Sequence, residues 1–99
     1  MSFALYRGKK WLGSLATIAG YGGMIEAVDA FNCGAGKGKI PALSHMIESG
    51  ASDDPQQIVE DISTLLAANK HLRKDVAATF QNMERLLKGV SGSIMVGES

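Results

Sequence analysis

At 99 residues, 45% of them hydrophobic, the chain has the length of one domain and enough apolar content to bury its own core without a metal or disulfide. Ten basic residues balance ten acidic ones, which argues against the strong basic excess of a dedicated nucleic-acid binder. The single cysteine, Cys33, excludes an internal disulfide and fits a reducing, cytoplasmic setting.

Charge is unevenly distributed. Residues 1–40 hold five Lys/Arg against two acids, and residues 41–99 hold five against eight. Such a dipole favours head-to-tail self-association, although charges this sparse also suit an ordinary solvated surface.

In chain order, the first element is a hairpin. Phe3–Arg7 and Lys10–Ile18 flank Gly8-Lys9, and glycine at the first position of a two-residue loop suits a type II′ turn. Strict alternation puts Trp11, Leu15 and Thr17 on one face and Leu12, Ala16 and Ile18 on the other. A helix over 12–19 is the competing reading. Arg7, Lys9 and Lys10 ahead of Trp11–Ala19 also outline a short secretory signal. Phe3, Leu5 and Tyr6 precede those charges, however, and Gly13, Ser14 and Thr17 dilute the apolar run, so the segment reads as part of the mature fold. The run is far shorter than the ~20 apolar residues that span a membrane.

Gly20-Tyr21-Gly22-Gly23 predicts a sharp break in the chain. A helix follows from Met24 to Phe31, with Met24, Ile25, Val28 and Phe31 at helical spacing. Residues 32–39 show no apolar periodicity and have glycines at 34, 36 and 38, the composition of an exposed, mobile loop.

Pro41 opens a short helix whose apolar face is Leu43, Met46 and Ile47, and Gly50 is placed to end it. Asp54 is the natural N-cap of the next helix, with Pro55 at its first position. Ile58, Val59, Ile62, Leu65 and Leu66 form its buried stripe, which leaves Glu60 and Asp61 on the polar side. After a break at Asn69-Lys70, a last helix spans about 71–88 with a stripe of Leu72, Val76, Phe80, Met83 and Leu87. Gly89 stands where a terminating glycine belongs, and Arg85 and Lys88 complement the helix dipole. Ile94–Gly97 reads as a brief strand that joins the hairpin as a third strand.

These elements give an α+β fold: one domain over residues 1–99, with an N-terminal hairpin, joined by a short C-terminal strand, packed on three to four helices.

No constellation of catalytic residues emerges. A phosphate-binding P-loop ending in Gly38-Lys39 would need glycine at Cys33 and a hydroxyl at Ile40, and it fails both tests. The looser alternative is an anion or nucleotide phosphate held by Gly36, Lys37, Gly38 and Lys39 in the loop 33–39, beside the helix that Pro41 opens. A dinucleotide fingerprint at Gly20-Tyr21-Gly22-Gly23 would need glycine at Ile25. Cys33, His45 and His71 lack both a supporting motif for nucleophilic chemistry and paired metal-ligand spacing. Asp53, Asp54, Glu60 and Asp61 cluster at one helix start, a patch for a basic partner or plain solubility. Lys70-His71-Leu72-Arg73-Lys74 makes DNA binding a second alternative, opposed by the local helix dipole and the neutral total charge.

The sequence therefore favours a non-enzymatic interaction module or self-associating accessory protein, with no metal and no cofactor. It would bind another protein or its own copy, not nucleic acid or membrane. The candidate contacts are Tyr6, Trp11, Tyr21 and Met95, whose aromatic rings and methionine suit protein contacts.

Overall fold

The computed structural model describes residues 2–98. The hairpin forms as its turn chemistry predicts. β1 (Ser2–Arg7) pairs antiparallel with β2 (Lys10–Thr17). Gly8 has φ +62° and no non-glycine residue has positive φ among the described residues, the pattern of a type II′ turn. Six more elements follow: α1 (Ile18–Cys33), α2 (Pro41–Ser49), β3 (Ala51–Ser52), α3 (Pro55–Ala68), α4 (Lys74–Leu87) and β4 (Ile94–Glu98). The four strands form one antiparallel sheet in the order β2-β1-β4-β3, so the C-terminal strand covers the free side of the hairpin. The architecture is α+β, with four helices on the sheet.

Strict alternation fails in β2. Leu5 pairs with Gly13 and Tyr6 with Trp11, which leaves Leu12 as an extra residue; Ala4 pairs with Ser14 and Phe3 with Ala16, which leaves Leu15 as another. Two such bulges reset which side chains share a face. Trp11 is consequently 55% exposed while Leu15 is buried, although simple alternation places them together. α4 accommodates the second bulge: Asn82 Nδ2 donates to the Leu15 carbonyl at 3.1 Å.

The largest departure from expectation is α1. It does not start at Met24 after a glycine break; it begins at Ile18, where the strand was expected to continue, and runs through all three glycines. Thr17 caps it, its hydroxyl accepting from Gly20 N at 3.1 Å. The glycines serve helix packing. A Cβ at Gly20 would lie 2.7 Å from Thr79 Oγ1, and one at Gly23 would lie 2.4 Å from Val76 Cγ2. One turn of α1 thus presents a notch into which α4 settles, and that contact outweighs a helix-propensity penalty of about 1 kcal/mol per glycine.

α2 and α3 follow their start and stop signals. Gly50 takes the left-handed conformation at φ +74°, and its N–H donates to the Met46 carbonyl at 2.7 Å. Asp54 caps α3 by accepting from Gln57 N at 3.3 Å. α4 begins three residues later than predicted. Leu72 lies in the five-residue connection before it, yet still packs against the core. Gly89, φ +75°, follows the helix end.

The core is a single cluster joining Leu5, Leu15 and Ile94 of the sheet to apolar residues of all four helices, with Phe80 its largest fully buried side chain.

Candidate interaction surface

The strand pairing determines where the exposed aromatic residues sit. Trp11 pairs with Tyr6, Tyr6 with Met95, and Met95 with Ala51. Directly paired residues of antiparallel strands project to the same face. One row, Trp11–Tyr6–Met95–Ala51, therefore crosses all four strands. The adjacent row holds Leu5 and Gly13, which face the helices: Leu5 is fully buried, and Leu86 of α4 occupies the space of the missing Gly13 side chain. The Trp11 row consequently lies on the face that the helices leave open. Trp11 is 55% and Met95 47% exposed, two of the three large hydrophobic residues so exposed among those described.

Tyr6 is held flat along this face. Its hydroxyl donates to the Glu98 carbonyl at 3.1 Å, and its ring passes over Gly97, where a Cβ would approach Cε2 to 3.1 Å. The ring is thereby fixed in one orientation with part of its surface in solvent. A rigid, half-exposed aromatic loses little conformational entropy when covered.

Tyr21, the fourth candidate contact, sits elsewhere. It belongs to α1 and stacks on Phe3 with ring centroids 4.5 Å apart. Burial raises the pKa of its hydroxyl above the usual tyrosine value.

Charge marks one end of the sheet. Arg7, Lys9 and Lys10 are exposed at the β1–β2 corner; Arg7 pairs with Lys10 in the row beside Trp11–Tyr6, so those two project to the helix side and Lys9 stands at the turn. At the same end, on the β3 side, Asp53 and Asp54 are exposed, and Asp53 Oδ1 accepts from Ser93 Oγ at 2.6 Å. The open face is thus apolar and aromatic across its middle, with Lys9 at the hairpin turn beyond one corner and Asp53, two positions after Ala51, beyond the other.

The segment after α1 forms a chain of turns, with Gly36 N donating to the Phe31 carbonyl at 3.1 Å and Lys39 N to the Gly36 carbonyl at 3.0 Å. Gly36 is buried, and a Cβ there would collide with the Phe31 ring. Gly38, φ +79°, and both Lys37 and Lys39 are exposed. The shallow depression beside these turns is lined by Ala30, Phe31, Gly34, Ala35, Gly36 and residues of the α3 end, without either lysine. Cys33 and His45 are exposed. At the start of α4, Arg73 pairs with Asp75 at 3.2 Å. Among the described residues, no group of three or more His, Cys, Asp or Glu converges as a metal site, and no buried side-chain polar atom lacks a hydrogen-bond partner. No helix among the described residues is long and apolar enough to cross a membrane.

The chain matches no family model, no curated protein and no solved structure.

Two polar residues have roles that sequence patterning misses. Asp61 does not lie on a solvated polar face; it is 2% exposed. Its Oδ2 accepts from the N–H groups of Ala42 and Leu43 at 2.9 and 3.0 Å, and its Oδ1 accepts from Gln57 Nε2 at 2.9 Å. It therefore caps α2 from α3. The available clue is that α2 has Ile40 at its N-cap, a side chain with no acceptor to offer. Gln56 does the equivalent at the far end of α4, donating to the carbonyls of Leu87 and Val90 at 2.8 and 2.7 Å. Side chains of α3 thus secure the ends of both neighbouring helices.

Proposed function

We propose that this protein is a non-enzymatic interaction module that binds a protein surface, another protein's or its own copy's, with the open face of its sheet. The observation that carries this reading is the row Trp11–Tyr6–Met95: three large side chains at paired positions on adjacent strands, on the face opposite the helices, with Tyr6 locked in place. Trp and Tyr are the side chains most enriched among residues that dominate binding energy, and Met adapts to an irregular partner. A cytoplasmic setting suits the exposed, unpaired Cys33.

Site-specific photo-crosslinking in the native host tests the reading. A photoreactive side chain at position 11 or 95 is expected to give discrete protein–protein adducts, and one at exposed Glu60 on the outer side of α3 is not. Absence of adducts from both sheet positions overturns the reading.

A further inference from the structure

The open face is self-complementary when turned over about an axis running parallel to its strands, between β1 and β4. Sheets packed face to face lie about 10 Å apart, with their strands within about 30° of one another. A two-fold axis in that interface plane, parallel to the strands, reverses the strand order of the second copy. β2 then lies over β3 of the other copy, and β1 over β4. The row Trp11–Tyr6–Met95–Ala51 meets itself reversed. The bulky Trp11 faces the small Ala51 of the other copy, and Tyr6 faces Met95, a sulfur–aromatic contact.

The charges obey the same operation. The basic corner, marked by Lys9 at the hairpin turn, and the acidic corner, marked by Asp53 just after β3, lie at the same end of the sheet on opposite sides. Rotation about the strand-parallel axis brings each basic corner over the acidic corner of its mate, twice per dimer. An in-plane axis perpendicular to the strands would instead carry the acidic corner of one copy to the end of the other where exposed Glu98 closes β4, and leave Lys9 away from Asp53. Size and charge therefore select one arrangement independently.

We infer that two copies of this chain pair through the open sheet faces, strands aligned, with Lys9 of each copy against Asp53 of the other. This rests on the reading of that face as an interaction surface and adds its occupant and geometry. Four strands at about 4.8 Å spacing and five residues at about 3.4 Å give a footprint of roughly 19 by 17 Å. That is about 320 Å² of sheet per copy, well under the ~800 Å² per partner of a standard interface, so the dimer is weak, with a dissociation constant on the order of 100 μM or above.

Sedimentation equilibrium of the purified full chain, from about 10 μM to about 1 mM, is the test across the range a small interface allows. The mass is expected to rise from 10.4 kDa towards twice that value. Lys9→Glu sets two acids against each other at both corners, and Asp53→Lys does the same with two bases. Each variant alone is expected to dimerise about tenfold more weakly, because two exposed pairs change sign. An equimolar mixture restores both corner contacts in the heterodimer and is expected to return to wild-type affinity, a rescue that misfolded variants cannot produce. A wild-type chain that stays monomeric across the range, or charge variants that pair as well as wild type, or a mixture that shows no rescue, overturns the inference. If the wild-type chain is monomeric while positions 11 and 95 still crosslink to other proteins, self-pairing falls and the broader reading of the face stands.

Discussion

Replacing Asp61 with alanine tests whether one buried carboxylate fastens α2 to α3. The side chain accepts two backbone N–H groups at the start of α2 and the Gln57 amide. A hydrogen bond to a charged acceptor contributes about 1.5–3 kcal/mol, and a buried donor left without a partner costs about 1–3 kcal/mol. The Leu43 N–H is buried and the Ala42 N–H is partly buried, so only the latter gains water easily. Removal of the carboxylate's own desolvation cost offsets part of the loss. The net expectation is a loss of about 3 kcal/mol, which lowers the unfolding midpoint of a domain this size by roughly 15 °C. Asp61→Asn keeps one acceptor oxygen without the charge and should lose about half as much. Glu60→Ala, one residue away but exposed, should stay within about 0.5 kcal/mol of wild type. Urea unfolding followed by far-ultraviolet circular dichroism measures all three, and hydrogen exchange at Ala42 and Leu43 locates the effect. An Asp61→Ala variant as stable as Glu60→Ala, with unchanged exchange at those two amides, would refute the capping argument.

The glycines of α1 should respond in opposite directions. Gly22→Ala meets no atom within 4 Å and should stabilise by about 0.5–1 kcal/mol, whereas Gly23→Ala drives a methyl into Val76 and should destabilise by about 1–3 kcal/mol; chemical denaturation of both variants reads the sign. Gln56→Ala should cost about 1–2 kcal/mol by freeing the Leu87 and Val90 carbonyls, visible as faster hydrogen exchange in the last turn of α4. Burial raises the Tyr21 pKa, so the folded state favours the neutral phenol. That contribution is complete below the unfolded value of about 10 and is lost as pH rises through the folded value; Tyr21→Phe should flatten this alkaline fall in stability, measured by unfolding midpoints from pH 8 upwards. Trp11→Ala should weaken binding while lowering stability by less than about 1 kcal/mol, because more than half of the side chain is already exposed.

The contrast between α1 and α3 shows where sequence reading stops. Asp54, Pro55 and the stripe from Ile58 to Leu66 act locally: each signal concerns a residue's own helix, and α3 forms as they dictate. The glycines at 20 and 23 carry a local signal of the opposite sign. What overrides it is a contact with Val76 and Thr79, more than fifty positions away, which no local pattern encodes. The bulges of β2 fail in the same way. Nothing in Lys10–Thr17 distinguishes an alternating strand from one that skips at Leu12 and Leu15, because the skip is defined by the partner strand and by Asn82 on α4. Asp61 completes the series, since a carboxylate one position from exposed Glu60 reads as solvated until the uncapped start of α2 is placed against it.

This difference also bears on the surface. Exposure of Tyr6, Trp11 and Met95 as a set depends on the bulge at Leu12: without it, the alternation along β2 would carry Trp11 to the same side as Leu15 and into the core. The residue types were legible as contact residues, but their alignment in one row came from a register that only the folded sheet defines. A bulge in an edge strand also distorts the backbone that edge-to-edge pairing would use. The same irregularity that brings the Trp11 indole to the open face thus discourages partners from adding to the β2 edge, and β3 at the other edge offers only two residues to pair with, so the face is the larger binding surface of the sheet.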